Sequence, residues 1–339
     1  MEKKRIHIVD TTLRDGSHAV SHSFSPEQVT AIAGGLDKVG VDIIECAHGD
    51  GITGSTFNYG FSKYDEMELI SAASKVIHNA KQCILLIPGI GTIEDLEEAY
   101  KNGARVVRVA THCTEADVGI QHIQAAKKMG MMAVGFLMMV HMASPEKLLE
   151  QAKIFEAAGA DYINLADSAG YCLPQDVTER VTALVNGLSI PVGFHAHNNL
   201  GVAVANSIAA VEAGATYIDA TCRGLGAGAG NTQLEVLAAV LDRMGYDTGL
   251  DLYGVMDVAE EVVEPIMHRP QVIRTAPLML GYAGVYSSFL LHTYRAAEKF
   301  GLNPRDILVE LGRRRMVGGQ EDMIVDVAYQ MAMERDAKK

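Results

Sequence analysis

Short, nearly unbroken apolar runs alternate with amphipathic stretches from the N-terminus to about Tyr246. The runs cover residues 5–9, 41–46, 83–87, 106–110, 132–139, 162–166, 191–197 and 217–222. Continuous runs of this length are expected of strands buried on both faces of a parallel sheet. Between them lie helical patterns, such as 144–158, which opens on Ser144-Pro145, a good helix start. Four segments resemble one another: Lys38-Val-Gly-Val-Asp-Ile-Ile44, Lys101-Asn-Gly-Ala-Arg-Val-Val107, Ala157-Ala-Gly-Ala-Asp-Tyr-Ile163 and Glu212-Ala-Gly-Ala-Thr-Tyr-Ile218. Each closes a helical pattern, turns on a glycine and opens a β-branched run, as a helix with a left-handed C-cap does. The spacing of these glycines is about twice the roughly 25–35 residues of one βα unit. Each interval therefore holds two units, and the chain has eight.

Eight alternating units predict an α/β fold, a closed (β/α)8 TIM barrel. An open doubly wound sheet is disfavoured: the first strand runs into Asp10-Thr-Thr-Leu-Arg-Asp-Gly16, not into a glycine-rich dinucleotide turn. Beyond Tyr246 the rhythm stops, and helical patterns follow at 252–267, 287–300, 304–311 and 321–335. The reading is a TIM barrel over 1–248 and a helical C-terminal domain over 249–339, packed on the barrel.

Composition narrows the function classes. A net charge of −13 argues against a nucleic-acid partner. The five cysteines, Cys46, Cys83, Cys113, Cys172 and Cys222, form no CxxC pair, which fits a reducing, cytoplasmic setting; Cys46, Cys113, Cys172 and Cys222 are expected as buried small hydrophobes. No apolar run is long enough for a signal peptide or a membrane span. The methionines around 131–139 are expected in the core. Arg313-Arg314-Arg315 is expected at a surface or interface.

A TIM barrel works at the C-terminal ends of its strands. Ionisable groups concentrate there: Asp10, Arg14, Asp15 and His18 after the first strand, Glu45 and His48 at the second, and His112 after the fourth. Asp167 and Ser168 follow the sixth, and His195-Ala-His197-Asn-Asn199 closes the seventh. Residues i and i+2 of a strand share a face, so His195 and His197 can hold one metal ion side by side. An isolated His-x-His is as often a pair of hydrogen-bonded core histidines, but here Asp15 is expected two strands away at the same mouth. Two imidazoles and a carboxylate leave open positions for substrate oxygens and suit Mn²⁺, Mg²⁺, Fe²⁺, Co²⁺ or Zn²⁺. Arg14 could stabilise a developing enolate or carboxylate; its plainer role is an ion pair with Asp10 or Glu45. His18 is a candidate general acid–base or a solvated loop histidine. The glycine-rich Gly224-Leu-Gly-Ala-Gly-Ala-Gly-Asn231 after the eighth strand lacks the Lys-Ser/Thr of a P-loop. Lysines fall on helical stretches, so a Schiff-base route is disfavoured.

Asp10-Thr-Thr-Leu-Arg-Asp-Gly16 together with Gly193-Phe-His-Ala-His-Asn198 resembles the metallolyase superfamily of 3-hydroxy-3-methylglutaryl-CoA lyase, isopropylmalate synthase and homocitrate synthase. Arg14-Asp-Gly-Ser-His18, Leu85-Leu-Ile-Pro-Gly-Ile-Gly91 and Tyr282-Ala-Gly-Val-Tyr-Ser-Ser288 are similar to one branch, the 4-hydroxy-2-oxovalerate aldolases of aromatic meta-cleavage catabolism. This likeness spans essentially the whole chain. It implies a class II pyruvate aldolase that cleaves 4-hydroxy-2-oxopentanoate to pyruvate and acetaldehyde. Asp15, His195 and His197 would hold Mn²⁺ foremost, with Mg²⁺, Co²⁺ or another divalent ion as alternatives and no organic cofactor. Arg14 would stabilise the enolate, and His18 would take the 4-hydroxyl proton. Tyr286 would reach over the mouth from the tail. Leu85 and Ile87 would shape the aldehyde pocket, Ser168 would meet the carboxylate, and Asn231 would lie near the site. The tail would serve as lid and as docking unit for an acylating acetaldehyde dehydrogenase, two of each chain in a heterotetramer, which receives the aldehyde. Two other readings compete: a Claisen-type acyl-CoA lyase or synthase of the same superfamily, and a non-catalytic metal-binding partner subunit. Metal content and turnover discriminate them.

Overall fold

The computed structural model describes residues 4–57, 59–286, 289–317 and 320–338, the side chain of Leu291 excepted. Among these, eight parallel strands close into a barrel in chain order: β1 (His7–Leu13), β2 (Ile43–Cys46), β3 (Lys81–Leu86), β4 (Val106–His112), β5 (Met132–Met138), β6 (Tyr162–Asp167), β7 (Val192–Ala196) and β8 (Tyr217–Ala220). Closure runs through β1 and β8, with His7 opposite Tyr217 and Asp10 opposite Ala220. Outside lie α1 (Pro26–Lys38), α2 (Glu66–Ser74), α3 (Ile93–Lys101), α4 (Ile120–Lys128), α5 (Pro145–Ala158), α6 (Pro174–Gly187), α7 (Ala203–Glu212) and α8 (Leu234–Met244). The expected start of α5 is real: the Ser144 hydroxyl accepts from the Lys147 amide at 3.3 Å. The repeat glycines Gly40, Gly103, Gly159 and Gly214 all have φ between 91° and 117°, where an L side chain is strained.

Inside the barrel the strands alternate, as they must. Val9, Ile43, Cys83, Val106, Val134 and Tyr162 form one apolar cluster, and Leu85, Ala110, Phe136 and Ala166 another nearer the mouth. Glu45 and Arg108 share the inward phase of their strands with these residues, so a charged layer separates the two clusters.

β1 extends further than its apolar run, because Asp10 and Thr12 satisfy each other within the strand. The Thr12 hydroxyl donates to Asp10 Oδ2 and its amide to Oδ1, both at 2.9 Å, and the same hydroxyl accepts from the Cys222 amide. Asp10 thus belongs to the strand and not to the mouth loop. All five cysteines are buried and free.

The expected helix at 252–267 is present but not uniform: α9 (Leu252–Asp257) continues through a π-helical turn (Val258–Val263) and a 3-10 turn (Glu264–Ile266). Its residues Val255, Val258, Ala259 and Val263 share the barrel's outer core. A second core joins α10 (Thr275–Ala283), α11 (Phe289–Phe300), α12 (Pro304–Arg313) and α13 (Met323–Ala337) through Leu280, Phe289, Ile307, Leu311, Ile324 and Val327. The pattern did not announce α10: it carries Pro277 and Gly281, and its apolar residues surround it without forming a stripe. Pro277 is tolerated because it lies in the first turn. Ser287 and Ser288, in the motif and the expected helix start, lie outside the described residues. The tail meets the barrel at its mouth, where His141 Nε2 lies 3.1 Å from the Gly284 carbonyl and Arg315 donates to the Met142 carbonyl. Of the basic cluster, Arg313 and Arg314 instead pair with Glu310. Among the described residues no helix is long and apolar enough to cross a membrane.

Candidate active site

The turn after β1 is a 3-10 helix (Asp15–Val20), and this conformation decides where its chemistry points. Residues i and i+3 of such a turn lie one above the other. Asp15 and His18 therefore face the same space, with His18 Nε2 at 4.0 Å from Asp15 Oδ1. Across it stand His195, in β7, and His197, just beyond. One side-chain atom from each of Asp15, His195 and His197 lies within 4.8 Å of the others, and all three residues are buried.

The orientation of the two imidazoles is set from behind. His195 Nδ1 lies 2.8 Å from Asp219 Oδ2, and His197 Nδ1 lies 3.1 Å from the Asp167 carbonyl oxygen. Both contacts are satisfied by a proton on Nδ1, which leaves each Nε2 lone pair free. His197 Nε2 is 3.3 Å from Asp15 Oδ2. Outer partners that fix the tautomer of paired histidines beside a carboxylate are what a divalent-ion site requires. The Oδ1 atom of Asn231 is buried without a protein partner beside this set, while its Nδ2 donates to Asp15 Oδ2 at 2.5 Å. The residues present fit a metal ion.

Charge is balanced tightly around this centre. Arg14 donates from Nε to Glu45 Oε2 at 2.7 Å and from Nη1 to Asp15 Oδ1 at 3.0 Å and to the Gly49 carbonyl at 3.3 Å. The plain ion pair weighed for Arg14 thus exists with Glu45, and it aims the guanidinium at Asp15. Burial opposes ionisation of Asp15, yet His197 and Arg14 outweigh it and hold the carboxyl well below its usual range. Burial also lowers His195 despite Asp219, whereas Asp15 overcomes burial and raises His197.

Arg14, Asp15, His18, Leu85, Ile87, Ser168, His195, His197 and Tyr286 all line one pocket, together with Gly49, Asp50, Phe136 and Met138. Asn231 is not among the lining residues and reaches that pocket through its bond to Asp15. Ser168 is at the wall, its hydroxyl accepting from the Met139 amide at 3.1 Å. No lysine is among the lining residues. Tyr286 arrives from the tail, and burial, with Asp50 and Asp15 nearby, pushes its phenol upward, so it stays protonated. His48 supports the rim rather than facing substrate. Its Nδ1 accepts from the Asp50 amide at 3.1 Å, and burial, helped by His18, lowers it to about 4. His22 stacks on His48 with ring centres 3.9 Å apart and is lowered to about 3, chiefly by burial. His18, His22 and Asp50 also approach one another within ligand spacing.

The glycine-rich run closes the site by packing. Asn198 N donates to the Gly230 carbonyl, and His197 bridges to Asn231. A Cβ at Gly226 would stand 2.8 Å from Asp15 Oδ2, so the backbone must pass bare at that point.

Sequence reasoning missed Asp50, Arg108 and Asp219. Arg108 is wholly buried and bonds Glu45 and Asp219. The available signal was a charge at the centre of the apolar runs Val106-Val-Arg-Val-Ala110 and Tyr217-Ile-Asp-Ala220, since an ion buried in a strand needs a partner.

Residues 5–262 match the HMGL-like family, and residues 271–333 match the DmpG-like communication domain. Fold and site together are those of an HMGL-like carbon–carbon lyase. A 4-hydroxy-2-oxovalerate aldolase from Moorella thermoacetica is 70% identical over 335 residues, 99% of either chain. Another from Carboxydothermus hydrogenoformans is 62% identical over 329 residues, 97% of this chain and 98% of the relative. The carboxyl transferase domain of Rhizobium etli pyruvate carboxylase with 3-hydroxypyruvate superposes with a TM-score of 0.82 at 20% identity, over 98% of this chain and 61% of the other, a likeness of fold. The chain belongs to the family of 4-hydroxy-2-oxovalerate aldolases.

Proposed function

We propose that the chain catalyses divalent-metal-dependent retro-aldol cleavage of 4-hydroxy-2-oxopentanoate to pyruvate and acetaldehyde. The observation that carries this reading is the buried Asp15, His195 and His197 set with Arg14 3.0 Å from Asp15 and His18 on the same side. Asp15, His195 and His197 would hold the ion, Mn²⁺ foremost. A bound divalent ion supplies a Lewis acid for the oxygens of the 2-oxoacid and offsets charge that develops there.

The remaining work falls to side chains. His18 Nε2, 3.8 Å from Asp50 and open to the pocket, takes the proton from the 4-hydroxyl. As that oxygen forms the aldehyde carbonyl, the C3–C4 bond breaks. Its electron pair passes to C3 and on to the 2-oxo oxygen, giving the enolate of pyruvate. Arg14 stabilises that negative charge and is held for the task by Glu45. A proton delivered to C3 completes pyruvate. Ser168 binds the carboxylate end, Leu85 and Ile87 give the aldehyde's methyl group an apolar wall, and Tyr286 holds substrate from above.

In this reading residues 249–339 form a helical domain that is lid and docking unit for an acylating acetaldehyde dehydrogenase, with two copies of each chain. The match of 271–333 to a communication domain supports a partner. Action in the cytoplasm, within aromatic catabolism, belongs to the same proposal.

The test is pyruvate release from 4-hydroxy-2-oxopentanoate by EDTA-stripped protein with and without Mn²⁺. Metal-restored release that disappears in His195→Ala is expected. No release with any divalent ion, with the dehydrogenase present, overturns the reading.

A further inference from the structure

One guanidinium in the barrel interior touches both halves of the active-site machinery. Arg108, in the middle of β4, is wholly buried. Its Nη1 lies 3.3 Å from Oε2 of Glu45, the same oxygen that accepts from Arg14 Nε at 2.7 Å. Its Nη2 donates to Oδ2 of Asp219, the same oxygen that engages His195 Nδ1 at 2.8 Å. The Phe136 ring lies 4.3 Å from the Arg108 guanidinium carbon and meets the His195 ring edge to face at 6.0 Å. Arg14, Glu45, Arg108, Asp219 and His195 thus form a continuous chain of alternating partners, and Arg14 returns it to Asp15 at 3.0 Å.

Stability alone does not explain such a chain. Desolvating several charges costs free energy that apolar side chains of similar volume avoid, and the neighbours Val106, Val107 and Val109 are apolar. A planar fork with fixed donor directions can, however, set the separation of two carboxylates, which a flexible ammonium cannot.

We propose that Arg108 and Asp219 are positioning residues, which hold the metal-ligand histidine His195 and the enolate-stabilising Arg14 at a fixed separation through one shared guanidinium. Asp219 fixes the proton on His195 Nδ1 and makes its Nε2 a better donor. Arg108 locks Asp219 on one side and Glu45 on the other, so metal affinity and enolate stabilisation depend on the same group. The proposal rests on the metal-lyase reading of the site.

The experiment measures Mn²⁺ binding to the EDTA-stripped full-length protein by calorimetry, kcat and KM for pyruvate release, and the melting temperature of the metal-free form. Asp219→Ala should weaken Mn²⁺ binding by roughly 10–100-fold, the usual effect of losing such a partner. Asp219→Asn retains an acceptor oxygen without the charge and should fall between it and the unaltered protein. Arg108→Lys should lower kcat more than it raises KM, since it releases Glu45 and with it Arg14. Weakened Mn²⁺ binding in Asp219→Asn, with a melting temperature near that of the unaltered protein, supports the proposal even where Asp219→Ala fails to fold. Unaltered Mn²⁺ affinity in Asp219→Asn and Asp219→Ala, with binding abolished in His195→Ala, overturns the proposal and leaves the metal-lyase reading intact. Unaltered Mn²⁺ binding in His195→Ala overturns both.

Discussion

Asn231 donates from Nδ2 to Oδ2 of Asp15 at 2.5 Å, across 216 residues of sequence. The contact orients the carboxylate and draws off part of the charge on the same oxygen that faces His197 Nε2 at 3.3 Å. In Asn231→Ala the carboxylate can rotate, and Mn²⁺ affinity is expected to fall about tenfold, the lower end for loss of a partner behind a metal ligand. Calorimetric titration of the EDTA-stripped variant checks this. Unchanged affinity would mean that Asn231 serves only to close the loop through its second bond, to the Leu225 carbonyl.

His18 depends on a bare backbone opposite it. A Cβ on Gly49 would lie 2.4 Å from His18 Nε2 and 2.6 Å from Cε1, closer than any real contact. The backbone at Gly49 has no conformation that demands glycine, so Gly49→Ala should fold and swing the imidazole aside. A misplaced general base forfeits much of a contribution of roughly 10²–10⁴ in rate. We expect kcat to fall by about a hundredfold while Mn²⁺ affinity holds. Steady-state rates set beside a metal titration separate the two, and a fully active Gly49→Ala would remove His18 from the proton-transfer role.

Tyr286 joins the tail to the pocket. Its phenol lies near Asp50, Asp15 and Arg14 and is protonated at any physiological pH. A neutral hydrogen bond contributes about 1 kcal/mol. Tyr286→Phe should therefore raise KM by several-fold and leave kcat nearly unaltered, as measured by pyruvate release over a range of substrate concentrations. A loss confined to kcat would instead give the hydroxyl a part in the chemical step.

Asp10 links the barrel to pH. Burial is the main reason its carboxyl is raised to about 7, against the lowering effect of Thr12. An acid whose folded pKa exceeds its unfolded value stabilises the fold fully below the unfolded value, near 4. That contribution is lost as pH rises through about 7. Asp10→Asn carries no charge at any pH. The melting-temperature difference, Asn variant minus unaltered protein, should grow from pH 4 to pH 7 and then level, with a free-energy equivalent of up to a few kcal/mol. A difference independent of pH would show that Asp10 ionises freely in the fold.

The sequence by itself determined the units of this protein and which ionisable groups gather at the barrel mouth. The glycine-turn repeat and the apolar runs specify eight βα units because side-chain periodicity and glycine turns are local properties. The His195-x-His197 spacing puts two imidazoles side by side at the mouth end of β7, and Asp15 follows from its place after β1. These are statements about residues close in the chain or about strand ends, and the closed barrel contains them all. What the tertiary structure decided is which buried charges meet. Arg108 and Asp219 are 111 residues apart, and Glu45 is 63 residues from Arg108. Their union depends on barrel closure and on the register that carries all three inward at one level. No local pattern encodes that, because each reads alone as a stray charge in an apolar strand. Likewise α10 and the approach of Tyr286 follow from packing against the mouth, where Gly284 meets His141, a contact between residues 143 positions apart that only the folded chain creates.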